Sequence, residues 1–276
     1  MTSKVTLTSL RSMKEKKEKI TALTAYDYSF ASLLDEAGID IILVGDSLGM
    51  AIRGEDNTLK VTVDEMVYHT GAVRKGVKRA MLVADMPFMS FHVSPENTLE
   101  NAGRLIRAGA EAVKLEGASG GVLESVKRLV SVGIPVMGHV GLTPQAVHQM
   151  GGFKLQGKGV EAGRKIIDDA MALENAGAFS IVLECVPVSL AEEITEKIKV
   201  PVIGIGAGAG CDGQILVSYD MLGIPSGITP KFVKKYADLS NIIKEATTAY
   251  IKEIRAEKFP TEEFCYTAPT RRLKAI

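Results

Sequence analysis

The sequence has no net charge: 33 Lys and Arg balance 33 Asp and Glu over 276 residues, and the isoelectric point is about 6.9. No global field therefore draws the chain to nucleic acid or to an anionic membrane, and a small molecule is the default ligand. It also has no apolar run of the roughly 20 residues that a membrane-spanning helix needs. The longest apolar runs are strand-sized and broken by charge or glycine. The start, MTSKVTLTSLRSMKEKKEKI, is basic but carries Glu15 and Glu18 and no apolar signal core, which argues against a secretory signal or a transit peptide. Cysteine is scarce. Cys185, Cys211 and Cys265 are an odd number without zinc-like spacing, which fits a reducing, cytoplasmic setting. No internal repeat or low-complexity linker divides the chain, so residues 1–276 are expected to form one domain with a helical C-terminal extension.

Short β-type runs alternate with longer helical patterns from end to end. That is the signature of a parallel sheet built from βα units. The expected strands are 20–26, 39–46, 80–85, 112–116, 134–140, 180–184, 200–206 and 214–220. Eight is the number that closes a (β/α)8 TIM barrel, and this favours the barrel over an open doubly wound sheet. Between them lie amphipathic stretches with i, i+3, i+4 spacing, several ending in glycine, as the outer helices require. The segment GAGAGCDG leaves no room for a helix between the seventh and eighth strands, and LTPQAVHQMGGFKLQGKG reads as a long active-site loop after the fifth. The charged run from Lys231 to Phe259 reads as one or two helices.

Four of the expected strands end in an acid: Asp46, Asp85, Glu116 and Glu184. A single such acid is readily a helix N-cap. Four buried carboxylates are costly unless paired, metal-bound or solvated in a cleft, so they point to one shared polar site at the strand ends. Asp46, Asp85 and Glu116 come from consecutive strands, and hard oxygen ligands in such a cluster suit Mg²⁺, with Ca²⁺ or Mn²⁺ as alternatives. The competing reading has Lys114 and nearby arginines neutralise them.

Lys114 and Glu116 are two apart on one strand and so share a face. The lysine is then an anion clamp or a Schiff-base nucleophile, and three neighbouring acids favour the clamp. Ser47 can donate its hydroxyl to the same anion or cap a turn. Glu184, among Val182, Leu183, Cys185 and Val186, is expected to be a stronger base than in water, which suits proton abstraction. His139 can bind substrate or hold an acid in place. His69, His92 and His148 receive no role. The glycine run GIGAGAGCDG is not a dinucleotide cradle, since a strand rather than a helix follows it.

KITALTAYDYSFA, VGDSLGM, TLKVTVDEMVYHT, VADMPFMS, KLEG, GHVGLTPQ and GIGAGAGCDGQILVSYDMLG together resemble the ketopantoate hydroxymethyltransferase family over nearly the whole chain. The resemblance implies a (β/α)8 barrel, often a homodecamer. Such a barrel uses Mg²⁺ and 5,10-methylenetetrahydrofolate to add a hydroxymethyl group to 3-methyl-2-oxobutanoate in pantothenate synthesis. It further implies a metal site of Asp46, Asp85 and Glu116, an oxoacid held by Asp46, Ser47, Asp85 and Lys114, and Glu184 as proton acceptor. An oxoacid chelated to Mg²⁺ would give a stabilised enolate. The C-terminal TEEFCYTAPTRRLKAI departs from the family in lacking a histidine. The alternatives are a Schiff-base aldolase on Lys114, a relative of phosphoenolpyruvate mutase or isocitrate lyase, for which the KKCGH-type loop is absent, and a non-catalytic scaffold, which would leave the acids without purpose.

Overall fold

Aliphatic runs bounded by charge and glycine become eight short parallel strands: β1 Ile20–Thr24, β2 Ile41–Val44, β3 Met81–Asp85, β4 Ala112–Glu116, β5 Val136–Gly141, β6 Ser180–Glu184, β7 Val202–Ile205 and β8 Gly213–Leu216. The computed structural model describes residues 3–224 and 230–266. Each strand pairs in parallel with the next, and β8 pairs with β1, Ile20 opposite Gly213, to close the barrel. The helices are α1 Leu7–Glu15, α2 Tyr28–Glu36, α3 Leu48–Ala51, α4 Val63–Gly76, α5 Pro95–Arg107, α6 Gly120–Ser131, α7 Val147–Met150, α8 Val160–Asn175, α9 Val188–Lys197, α10 Ser218–Leu222 and α11 Leu239–Arg255. As expected, no helix separates β7 from β8. Among the described residues no helix is long and apolar enough to cross a membrane.

Alternation along each strand divides the core in two. Ile41, Leu43, Met81, Val83, Ala112, Met137, Val182, Ile203 and Ile215 fill the barrel interior. Their neighbours Ile42, Val44, Leu82, Ala84, Val113, Leu115, Ile181 and Leu183 pack outward with the helices. This two-sided burial explains why the strands read as unbroken apolar runs.

Several details differ from the sequence reading: β1 stops at Thr24, β5 runs from Val136 to Gly141, and β7 covers only Val202–Ile205. The second strand stops at Val44, so Asp46 sits in the turn that leads into α3, and the eighth stops at Leu216, so Asp220 lies on α10. The long segment after β5 carries a 3₁₀ turn, Pro144–Ala146, followed by α7. The basic N-terminal stretch also forms a helix: Thr6 and Ser9 make a reciprocal capping box, and Val5, just ahead of the cap, and Leu10 on α1 enter the interior cluster with Ile20 and Ile41. Lys14 secures α1 through an ion pair with Asp212, 2.7 Å.

At the other end of the chain, α11 has no buried residue. Ile242, Ile243, Tyr250, Ile251 and Ile254 are all exposed. The charged C-terminal run is thus one α-helix, followed by a 3₁₀ turn at Glu262–Phe264. The histidine-free tail beyond residue 266 lies outside the described residues.

Candidate active site

Barrel register brings the chemistry together. Asp85 shares the inward phase of Met81 and Val83, Lys114 and Glu116 that of Ala112, His139 that of Met137, and Glu184 that of Val182. Across the sheet Asp85 stands opposite Lys114, and Glu116 opposite His139. Glu184 closes β6 opposite Gly141. Five polar residues on four adjacent strands therefore line one mouth at the carboxyl ends, where barrel enzymes place their sites.

The contacts form a chain of alternating charge. Lys114 Nζ lies 2.7 Å from Asp85 Oδ1, 3.8 Å from Glu116 Oε1 and 3.4 Å from His139 Nδ1. His139 Nδ1 is 3.5 Å from Glu116 Oε1, and its Nε2 is 3.2 Å from Glu184 Oε2, an ion-pair contact off the hydrogen-bond line. Asp46, Asp85, Lys114, Glu116 and His139 are each at least 95 % buried, while Glu184 is partly open to solvent. His139 thus contacts two acids, Glu116 and Glu184.

Burial depresses the affinity of Lys114 for its proton, but Asp85, Glu116 and Asp46 outweigh that and hold the ammonium charged well beyond the ordinary range. Burial and the Lys114 charge would likewise keep His139 neutral. Glu116 and Glu184 win, raising it to about 9. Burial would also raise Glu116, yet its contacts with His139, Lys114 and the Gln145 N–H bring it below the usual carboxylate range. Asp46 goes the other way: burial, then the charges of Asp85 and Glu116, push it well above that range. Asp85 is raised by burial despite Lys114.

Two residues that carried no role in the sequence reading bind this constellation. The backbone N–H of Asp46 donates to Asp85 Oδ2 at 2.9 Å, and the Asp46 carboxylate in turn accepts from Gln145 Nε2, also at 2.9 Å. The Gln145 backbone N–H donates to Glu116 Oε2 at 3.0 Å. Gly141, at the end of β5, has φ 93°, and a Cβ there would run into the Glu184 carbonyl oxygen; the next residue, Leu142, donates its N–H to that oxygen as the chain leads on to Gln145. Ser47 precedes α3 but makes no side-chain cap bond; its hydroxyl pairs with the buried Tyr26 hydroxyl at 2.8 Å. The available signal was position: Gln145 lies in GHVGLTPQ and Tyr26 in KITALTAYDYSFA, two of the family-like segments.

Asp46, Asp85 and Glu116 against Lys114 and the His139 cation still leave one negative charge in excess, and the upward push on Asp46 and Asp85 registers it. A divalent cation relieves such an excess. Among the described residues no three His, Cys, Asp or Glu side chains converge as a ready-made metal cage. The donor set fits Mg²⁺ in its usual mode, in which one or two carboxylates bind and waters or substrate oxygens complete the octahedron. Asp46 and Asp85, already tied together, would be those two.

Fold and site define a (β/α)8-barrel enzyme with an acid-rich catalytic mouth. The chain belongs to the ketopantoate hydroxymethyltransferase family, whose model matches residues 4–262. It is 56 % identical over 266 residues to the 3-methyl-2-oxobutanoate hydroxymethyltransferase of Syntrophomonas wolfei, covering 96 % of each chain. It is 57 % identical to the enzyme of the same name from Syntrophus aciditrophicus, covering 95 % of this chain and 97 % of that one. It is accordingly a transferase that forms a carbon–carbon bond. The barrel is similar to that of a phosphonopyruvate hydrolase solved with oxalate and Mg²⁺, with TM-score 0.61 and 13 % identity over 95 % of this chain and 92 % of that one. It is also similar to 2,3-dimethylmalate lyase of the PEP mutase/isocitrate lyase superfamily, with TM-score 0.59 and 15 % identity over 94 % and 91 %. At such identities the likeness is one of fold.

Proposed function

We propose that the site removes the C3 proton of 3-methyl-2-oxobutanoate and joins that carbon to the methylene carbon of 5,10-methylenetetrahydrofolate; both of that carbon's bonds to nitrogen break, tetrahydrofolate leaves carrying the protons, and water supplies the hydroxyl of 2-dehydropantoate. The observation that carries the reading is the charge chain ending in Glu184, the one acid of the site open to solvent and held 3.2 Å from His139. Glu184 takes the C3 proton. His139, cationic at neutral pH, fixes it in place. Lys114 and the Ser47 hydroxyl hold the substrate carboxylate, with Tyr26 orienting Ser47. Asp46 and Asp85 would hold the metal directly and also face the oxoacid, while Glu116 belongs to the metal site through Gln145, which holds both Glu116 and Asp46. Bound there, Mg²⁺ would supply Lewis acidity to the keto oxygen as negative charge develops. Lys114, kept protonated by its acids, lacks the neutral amine that an imine requires.

The same reading makes the protein cytoplasmic, with a small oxoacid and a folate as ligands and neither nucleic acid nor membrane as partner. We further propose a homo-oligomer, decameric as the family resemblance implies, in which another copy covers the apolar side of α11.

Proton exchange at C3 in D₂O, followed by NMR without folate, tests the chemistry. Wild type should exchange in a Mg²⁺-dependent manner, and Glu184→Gln should slow exchange by about 10²–10⁴-fold. Exchange that persists in chelator, or is unchanged in Glu184→Gln, would overturn the assignment.

A further inference from the structure

Gln145 is more than 90 % buried and occupies every donor it has on the site. Its backbone N–H holds Glu116, and its side-chain amide nitrogen donates to both Asp46 Oδ2 and the Met86 carbonyl, each at 2.9 Å. Two acceptors on Nε2 fix which end of the amide is oxygen. The oxygen is therefore placed as well, and it has no hydrogen-bond partner among the described residues. A buried acceptor without a donor is costly, so one is expected to arrive with a ligand. The deprotonated oxoacid has no O–H or N–H to offer. Of the donors that remain, the N–H groups of the folate and a water held by a cation on Asp46 and Asp85, the water would lie against Asp46, which the same amide already holds.

We propose that Gln145 is the positioning residue of the metal site, setting the Asp46 carboxylate for the cation and accepting a hydrogen bond from one of its water ligands through Oε1. The inference rests on the reading of Asp46 and Asp85 as metal ligands. One loop residue after β5 thereby couples an acid from the turn after β2 to an acid on β4, the outer support on which ligand geometry commonly depends.

The test is Mn²⁺ binding by titration calorimetry on full-length protein without oxoacid or folate, for wild type, Asp46→Asn, Gln145→Met and Gln145→Leu. Gln145→Met keeps the length of the side chain and the backbone N–H but removes the amide; Gln145→Leu serves if the methionine form does not fold. Wild type should bind, Asp46→Asn should lose binding, and the Gln145 variants should bind about 10–100-fold more weakly. They should also lose most of the rise in Tm that Mn²⁺ gives wild type, which follows from weaker binding. A merely structural role would lower the Tm of the metal-free protein and leave the affinity unchanged, which would overturn the inference while the metal reading stands. Failure of wild type to bind Mn²⁺ would overturn both.

Discussion

Lys114 concentrates the physics of the site in one residue. Its side chain is 5 % exposed, and its ammonium counters Asp85 at 2.7 Å, with Glu116 further off. Deleting one member of a buried charge set leaves the others uncompensated, which commonly costs about 3–5 kcal/mol. Lys114→Met should therefore lose about that much stability in urea denaturation with chelator present, besides losing activity. The loss should be smaller with Mg²⁺, since a cation on Asp46 and Asp85 offsets part of the missing charge. The shared face of Lys114 and Glu116 was legible from their i, i+2 spacing, and the acids from their position after apolar runs. Gln145 was not, because its role depends on an amide meeting Asp46 from 99 residues away, and glutamine in a loop carries no periodic signal. Nor did the sequence show that His139 would sit between two acids, which depends on the register of β4 against β5.

At the scale of elements, the joints that hold helices to strands are local and polar. Asp35, near the end of α2, accepts hydrogen bonds from the backbone N–H groups of Lys78, Arg79 and Ala80 just before β3. Burial alone would raise its pKa, but those three N–H groups and the charge of Lys4 bring it below the ordinary carboxylate range. A carboxyl whose folded value is depressed stabilises the protein above its unfolded value of about 3.9. That contribution is lost as pH falls through the folded value. Asp35→Ala should cost about 2–3 kcal/mol at pH 7, leaving buried donors unpaired. The gap from wild type in urea midpoints should narrow as pH is lowered below about 4. Strand order and number were readable from sequence at this scale. The ends of β2 and β8 were not, since Gly45 and Asp46 after Val44, and Val217 to Asp220 after Leu216, can prolong a strand as well as leave one, and α1 was hidden because its charged residues dilute the one it buries, Leu10.

The whole molecule has one conspicuous mismatch between a well-packed barrel and α11, a 17-residue helix with no buried side chain. Isolated helices of this length are marginal in water, and its isoleucines need a partner surface. Ile243→Asp should shift the protein to a smaller species in size-exclusion chromatography with light scattering, while far-UV circular dichroism keeps the barrel signal; an unchanged mass would remove α11 from the interface.

Closure of the sheet through the pairing of Ile20 with Gly213 has a further consequence during synthesis. The first strand leaves the ribosome long before the last. At about 5–20 residues per second, the intervening stretch of roughly 190 residues takes about 10–40 s to make. For that time β1 exposes a row of unpaired backbone groups, an edge that invites pairing with other chains. The nascent barrel is thus most vulnerable in its first strand, and a chaperone holding the emerging amino-terminal half would act on the edge that the finished protein does not have.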